Sequence, residues 1–188
     1  MKKREKREWE YDMENLVHSF LNRTIYEKLT KHIIASIPDE ALVQAIIDNI
    51  QTKISPDFSD EYDVVTKLSA GRQAVYAIFY LECEVCNGGF SQFFYNSISV
   101  FAEDALYGLE RIGAVKLSAL MKQAISLYKE NKKEITEIED ETIEGYHKFY
   151  SDNPLNKLDD IFYLLIKEEN LSALIINYIR NNLNEFVD

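Results

Sequence analysis

Two cysteines near the middle of the chain have a spacing that is typical of chemical sites. Cys83 and Cys86 form the C-x-x-C pattern found in redox and metal motifs. A structural zinc needs four ligands, and the sequence offers no second cysteine pair and no histidine at ligand spacing. A thioredoxin-like pair would open a helix after a strand, whereas this pair falls near a predicted helix end. We therefore predict no metal site and expect both cysteines to be buried as small apolar side chains.

The polar residues around the cysteines have two interpretations. They flank the pair Gly88-Gly89 and are Glu82, Glu84, Asn87 and Gln92. They could line a small-ligand pocket in which two acids perform acid–base chemistry. Alternatively, the amides satisfy backbone groups that helix ends leave free, and we favour this interpretation. No phosphate loop, Gly-x-Ser-x-Gly or His-Glu-x-x-His pattern is present, so we predict a protein that is not an enzyme and has no cofactor.

The elements that must position these residues are predicted to be helices. Only 6 glycines and 3 prolines interrupt 188 residues, which favours long helices with short connections. Apolar residues recur at helical spacing, and no alternating strand pattern occurs. Thr24-Ile25-Tyr26-Glu27 resembles a capping box, at which the first helix would kink or restart. The predicted helices cover approximately residues 8–36, 39–50, 62–68, 70–86, 90–95, 101–112, 115–128, 135–149, 156–165 and 171–179.

These helices predict an all-α, single compact multi-helix domain with a helical N-terminal extension. The turn-rich residues 55–60 mark the boundary, so we assign residues 1–58 to the extension and 59–188 to the main domain. Residues 70–86 are apolar on nearly all faces, which predicts a central buried helix. Gly88-Gly89 should end this helix in a sharp corner, after which a short aromatic helix packs its rings into the core.

The charge of the chain limits the classes of partner. The net charge is −11, and residues 32–188 alone carry −13, from 13 basic and 26 acidic side chains. Such a body repels nucleic acid and anionic membranes and attracts basic proteins. The basic first residues lack the apolar core of a signal peptide, and no apolar run is long enough to span a membrane. We therefore expect a cytoplasmic protein that binds neither nucleic acid directly nor membrane.

Two groups of acids are candidates for a partner-binding surface. The first recurs every three or four residues and would form one helical stripe about 21 Å long; it comprises Glu130, Glu134, Glu137, Glu141 and Glu144. The second comprises Asp57, Asp60, Glu61 and Asp63. Neighbouring carboxylates on the stripe would lie about 5–6 Å apart, a spacing similar to that of phosphates on a DNA strand. The alternative is a solvated helix face that only keeps the protein soluble.

The segment around the glycine corner resembles the signature of a bacterial family of uncharacterised domains grouped as DNA-mimic proteins. The signature pattern is an acid, Asn-Gly-Gly-Phe-x-Gln-Phe-Phe and Asn-Ser, and its matching residues are Glu84, Asn87, Gly88, Gly89, Phe90, Gln92, Phe93, Phe94, Asn96 and Ser97. Arg111-Ile112-Gly113-Ala114, Leu158 to Tyr163, Tyr178-Ile179-Arg180 and Asn184-Glu185-Phe186 also resemble the family. The similarity extends from about Tyr62 to Val187.

This resemblance implies an all-helical fold and an acidic surface that competes with DNA for a DNA-binding protein. We expect the signature residues to be structural, because mimicry depends on surface carboxylates that the signature does not include. A non-catalytic, acidic regulator that binds a basic or DNA-binding protein is the leading hypothesis, and a homodimer is a further expectation. Two alternatives stay open: a protein that neutralises a toxin or nuclease, and a small-ligand or enzyme site at the Gly88-Gly89 corner.

Overall fold

The described part of the chain is built from helices around one long central helix. A computed structural model describes residues 17–132, 142 and 153–188. Its α-helices, in chain order, are α1 (Lys31–Ser36), α2 (Asp39–Gln51), α3 (Glu61–Val65), α4 (Ala70–Tyr95), α5 (Ala102–Ile112), α6 (Val115–Glu130), α7 (Asn156–Glu168) and α8 (Leu171–Asn181). Short 3-10 helices cover Ser97–Phe101 and Leu183–Glu185, and residues 17–21 are also helical. No strand occurs in these described ranges, which confirms the all-α prediction.

The central element is α4, as its apolar sequence predicts. The Ser69 side chain accepts a hydrogen bond from the Arg72 amide and so caps the first turn, also as predicted. Helices α2, α5 and α7 all pack against α4, and α6 packs against α5 and α7. Val75, Tyr76 and Ile78 on α4 are fully buried. Because α4 contacts three helices around its circumference, it can be apolar on nearly every face.

The helix limits agree with the sequence prediction except near the N-terminus. The predicted capping box at Thr24 is wrong, because residues 23–30 are not helical. The N-cap lies instead at Thr30, whose hydroxyl accepts a hydrogen bond from the Ile33 amide at 3.2 Å. The extended segment before it is held on α2, where the Asn49 side-chain amide donates to the carbonyls of Tyr26 and Glu27. These tertiary hydrogen bonds outweigh the local capping signal.

The last residue fastens the N-terminal segment to the centre of the fold. The Asp188 carboxylate accepts hydrogen bonds from the Leu29 amide at 2.7 Å and from the Arg72 guanidinium at 2.9 Å. It also forms a salt bridge with Lys53 on α2 at 3.0 Å. Burial disfavours the charged carboxylate, but these donors outweigh it and hold the pKa of Asp188 well below its usual range. Residues distant in sequence are thereby tied to α4.

One hydrophobic core includes residues from both sides of position 58. Leu29, Ile46 and Ile50 before that position belong to the same buried cluster as Val75 and Phe90 after it. The domain boundary itself stays a prediction. The predicted helix over residues 135–149 lies outside the described residues, apart from Thr142.

Candidate functional site

The predicted corner is present as a kink inside α4. Gly88 (φ −153°, ψ 25°) and Gly89 (φ 75°, ψ 178°) leave helical geometry, and the chain then resumes as a short helix. The backbone conformation of Gly89 is one that only glycine adopts readily. A Cβ atom at this position would also lie 2.3 Å from Asp159 Oδ2. Gly89 is therefore required both by its own backbone and by the close approach of α7.

Asp159 on α7 caps the helix that begins after the kink. Its Oδ1 accepts a hydrogen bond from the Phe90 amide at 2.9 Å, an amide that the kink leaves without a partner in its own helix. An N-cap side chain normally belongs to the same segment, whereas this one comes from α7. Burial raises the pKa of Asp159, with Asp160 adding to the shift and the Phe90 hydrogen bond opposing it. The carboxylate is thus a partly buried, structural acceptor.

Two more residues of α7 join the two sides of the kink. The Tyr163 hydroxyl donates to the Val85 carbonyl before the kink at 2.9 Å, and Asn156 Oδ1 accepts from the Ser91 hydroxyl after it at 3.1 Å. Asn156, Asp159 and Tyr163 follow at spacings of three and four residues, so they lie on one face of α7. From sequence alone, Leu158 to Tyr163 are recognisable only as similar to the family. The helical spacing of these polar residues was the available signal.

The signature amides bind each other and an acid across the kink. Glu84 Oε2 accepts hydrogen bonds from Gln92 Nε2 at 2.6 Å and from Asn96 Nδ2 at 2.8 Å. Asn87 Nδ2 donates to Gln92 Oε1 at 3.1 Å. These contacts support the predicted structural role of the side chains. The partners differ from those expected, because the amides bind a carboxylate and each other and not the free backbone groups of helix ends. Glu84 stands before the kink and its donors after it, so the network fixes the angle between the two half-helices.

The signature phenylalanines fill the core beneath the kink. Phe90, Phe93 and Phe94 are each at most 2% exposed. Phe94 stacks on Tyr128 of α6 with ring centroids 4.3 Å apart, and Phe90 meets Phe162 of α7 edge to face at 5.5 Å. The aromatic segment was predicted to turn into the core, and this burial bears the prediction out. The signature thus specifies how α4 bends and which helices it contacts.

The expectation of buried cysteines is wrong. Cys83 and Cys86 are both exposed free cysteines on α4. Partial desolvation and the nearby Glu82 carboxylate raise the pKa of each thiol. The pair lies on the surface because the opposite faces of α4, with Leu81 and Val85, take the core positions. A raised pKa lowers the thiolate fraction, so this environment does not activate the pair as a nucleophile.

Two of the predicted acidic residues hold the turn before α3, and a third, Glu61, binds α4. Asp60 accepts from the Ser55 amide and hydroxyl at 2.8 and 2.7 Å, and Asp57 accepts from the Ser59 amide and hydroxyl at 3.2 and 2.8 Å. These hydrogen bonds lower the pKa of both aspartates, so both stay charged at neutral pH. Glu61 Oε1 accepts a hydrogen bond from the Tyr76 hydroxyl at 2.5 Å.

The predicted helical stripe is described only at its first residue. Glu130 is exposed at the end of α6 and accepts a hydrogen bond from the Ser126 hydroxyl at 3.0 Å. The other residues of the stripe lie outside the described residues; they are Glu134, Glu137, Glu141 and Glu144.

Acids on three elements form a surface that we call the acidic band. The Tyr62 ring on α3 lies 5.5 Å from the Phe101 ring, which immediately precedes α5. Lys129 of α6 forms a salt bridge with Glu103 of α5 at 2.7 Å. These two contacts place α3 beside the start of α5, and the first turn of α5 beside the end of α6, so the acids of these elements belong to adjoining parts of the fold. The band comprises Asp57, Asp60, Glu61, Asp63, Glu103, Asp104 and Glu130.

Metal ligation and membrane insertion have no counterpart in the described part of the chain. Over residues 17–132, 142 and 153–188, no group of three or more His, Cys, Asp or Glu side chains is placed to hold a metal ion. Within those same ranges, no helix has the length and apolar character needed to cross a membrane.

Comparison with known proteins gives a family but no individual relative. No curated protein and no solved structure matches the chain significantly. The family model described as DMP19-like protein matches residues 66–182, well over half of the 188 residues. The chain therefore belongs to the DMP19-like protein family, and the resemblance to DNA-mimic proteins is confirmed. The match contains the kink of α4, the short aromatic helix and the face of α7 that holds both.

Proposed function

We propose that this member of the DMP19-like family is a non-catalytic protein that binds a DNA-binding protein by presenting carboxylates in place of DNA phosphates. The observation that carries the proposal is the acidic band, whose acids lie on adjoining elements of the fold. Family membership supports the same class of function. The kink is not needed for this activity beyond its role in holding α4, α6 and α7 together.

The band suits this function because most of its charge is left free. Among described residues, Asp57, Asp60, Glu61 and Asp63 form no salt bridge with Lys or Arg, and only Glu103 of the band does. Some acids elsewhere are neutralised at short range, as Asp39 is by Arg180 and Asp48 by Arg23. Unneutralised carboxylates produce a negative potential that attracts a basic partner.

The charges are also held in place. Asp57 and Asp60 are fixed by serine hydrogen bonds that lower their pKa, so the turn stays ionised and ordered at neutral pH. A DNA backbone likewise presents permanent charges at fixed positions. Preorganised acids need less ordering when the partner binds, which favours affinity. The sequence continues from Glu130 to Glu134, Glu137, Glu141 and Glu144, and we propose that this stripe extends the same surface.

The partner expected from this surface is a basic protein that also binds DNA. Direct contact with nucleic acid is disfavoured by the net charge of −11. We place the activity in the cytoplasm, where DNA-binding proteins are found, and a homodimer would double the number of acids presented. Both of these assignments rest on the proposed function.

A capture experiment with matched charge variants tests the proposal. The band variant combines Asp63→Asn, Glu103→Gln and Glu130→Gln. The control removes the same charge from exposed acids outside the band through Glu27→Gln, Glu40→Gln and Glu110→Gln. Each tagged protein is incubated with host lysate at about 50 and 200 mM salt, and bound proteins are then released with duplex DNA.

We expect wild type and control to capture a basic DNA-binding protein at low salt, and added DNA to release it. The band variant should lose most of this capture. Equal capture by the two triple variants would show that only overall charge matters and would refute the band. A captured nuclease or toxin that DNA does not displace would support the toxin-neutralising alternative instead.

A further inference from the structure

Three large apolar side chains are exposed beside the acidic band. Phe58 is 50% exposed in the turn before α3, Tyr62 is 47% exposed on α3, and Val100 is 51% exposed. The Tyr62 ring contacts Phe101, the residue that follows Val100. We call Phe58, Tyr62 and Val100 the apolar patch. Patch and band residues lie close together in the sequence: Asp57 precedes Phe58, Asp63 follows Tyr62, and Glu103 comes three residues after Val100.

Phe58 and Phe20 are the two phenylalanines of the described residues that are about half exposed, and the Phe20 ring is covered by the Arg23 guanidinium at 3.9 Å. Phe90, Phe93, Phe94, Phe101, Phe162 and Phe186 are at most 2% exposed. Phe58 also has a left-handed backbone with φ 58°, a conformation that is costly for a bulky side chain. Its amide is bonded to the Ser55 carbonyl at 2.8 Å, and the adjacent aspartates fix both ends of the turn. The fold thus holds an aromatic side chain outward at a position where Asn or Gly would be easier to accommodate.

Charge complementarity specifies what can cover this patch. Any surface that buries Phe58 and Tyr62 must also approach Asp57 and Asp63, which form no salt bridge with a described Lys or Arg. An acidic or neutral partner would bury these carboxylates without compensation, whereas Lys and Arg around an apolar centre would pair with them. Aromatic side chains at the centre of an interface with a polar rim are typical anchors of protein binding.

We propose, building on the function above, that the apolar patch is a docking site for a basic protein segment with an apolar centre. The segment is an amphipathic helix that carries Lys and Arg along both sides of a Leu-rich stripe. Phe58 is the anchor of this contact, and the acidic band pairs with the basic rim. Recognition therefore includes a contact that DNA phosphates do not offer. It would let the protein select its target among the many basic surfaces that charge alone attracts.

Two synthetic helical peptides with equal numbers of Lys and Arg test this proposal. One carries a Leu stripe, and in the other each Leu is replaced by Gln. Their affinities for the full chain are measured by fluorescence anisotropy at about 50 mM salt. The test variant is Phe58→Asn, because Asn tolerates the left-handed backbone and should leave the turn folded. The control is Leu164→Gln, which removes an apolar side chain that is 63% exposed on α7, outside the patch.

We expect wild type and Leu164→Gln to bind the Leu peptide about tenfold more tightly than the Gln peptide. Phe58→Asn should lose most of this preference and bind the Gln peptide as wild type does. Equal affinity of wild type for both peptides, or an unchanged preference in Phe58→Asn, would overturn the docking site while leaving the charge-based function intact. Failure of wild type to bind either peptide would overturn both.

Discussion

Replacing Gly89 by Ala should be among the most damaging single changes in this protein. The added methyl group would meet Asp159 Oδ2 at 2.3 Å, so the carboxylate must move. Its movement breaks the 2.9 Å hydrogen bond from the Phe90 amide. A lost hydrogen bond to a charged group costs about 1.5–3 kcal/mol, and a side chain in this glycine-only backbone region costs about 1–3 kcal/mol.

Together the two effects predict a loss of about 2.5–6 kcal/mol in the free energy of unfolding of Gly89→Ala. Domains of this kind are stable by only about 5–15 kcal/mol, so the variant should be close to unfolding at 25 °C. Urea denaturation followed by circular dichroism at 222 nm measures the change, with the midpoint shifting and the slope preserved.

Gly113→Ala is the matched control. Gly113 also has a positive φ, 82°, at the end of α5, but a Cβ there has no neighbour within 4 Å. Its cost should be only the backbone contribution, about 1–2 kcal/mol. A Gly89→Ala variant no less stable than Gly113→Ala would refute the reasoning about α7. In the double variant with Asp159→Ala, the Gly89→Ala cost should fall towards that of the control, since the clash is then absent.

Three further outcomes follow from other contacts. Asp188→Asn should lower the free energy of unfolding at pH 7 by about 1.5–3 kcal/mol. Because the pKa of Asp188 is lower in the folded chain, its stabilisation is present above about pH 4 and lost on acidification. Urea titrations from pH 7 down to about pH 2.5 should therefore show a shallower decline in stability for this variant than for wild type. Tyr163→Phe should lower the free energy of unfolding by about 1–3 kcal/mol, because it leaves the Val85 carbonyl without its 2.9 Å donor. Tyr107→Phe, at an exposed residue, should lower it by less in the same urea assay. Phe58→Asn should raise stability by about 0.5–1 kcal/mol through relief of the left-handed backbone, and an unchanged or lower thermal midpoint would contradict this.

The helices could be predicted because local signals and tertiary packing agree at most positions. Ser69, Gly113 and the Pro38-Asp39 start mark the ends of helices in the structure as they do in the sequence. Thr24 was misleading because its capping signal competes with hydrogen bonds from Asn49, which lies over twenty residues away. A pattern read from neighbouring residues contains no information on such a partner.

The candidate site was also predictable only where it depends on neighbouring residues in the sequence. The kink at Gly88-Gly89 and the burial of the aromatic residues follow from residue types alone. Asp159 could not be assigned to the kink, because its contact joins residues 69 positions apart. The cysteines were placed on the wrong face because α4 is apolar nearly all round, so its periodicity does not identify the solvent side.

The kink and the acidic band make different demands on the sequence. At the kink, a carboxylate, an amide and a glycine must meet within hydrogen-bond distance, so few substitutions preserve the geometry. In the band, charge acts over several ångströms through solvent, and Asp or Glu at slightly different positions would serve equally well. A family signature therefore gathers around Gly89 even though the proposed activity depends on the surface. The turn before α3 contains Phe58 and lies outside the matched residues 66–182. Under the proposed function, we expect that exchanging this turn changes partner choice without changing the fold.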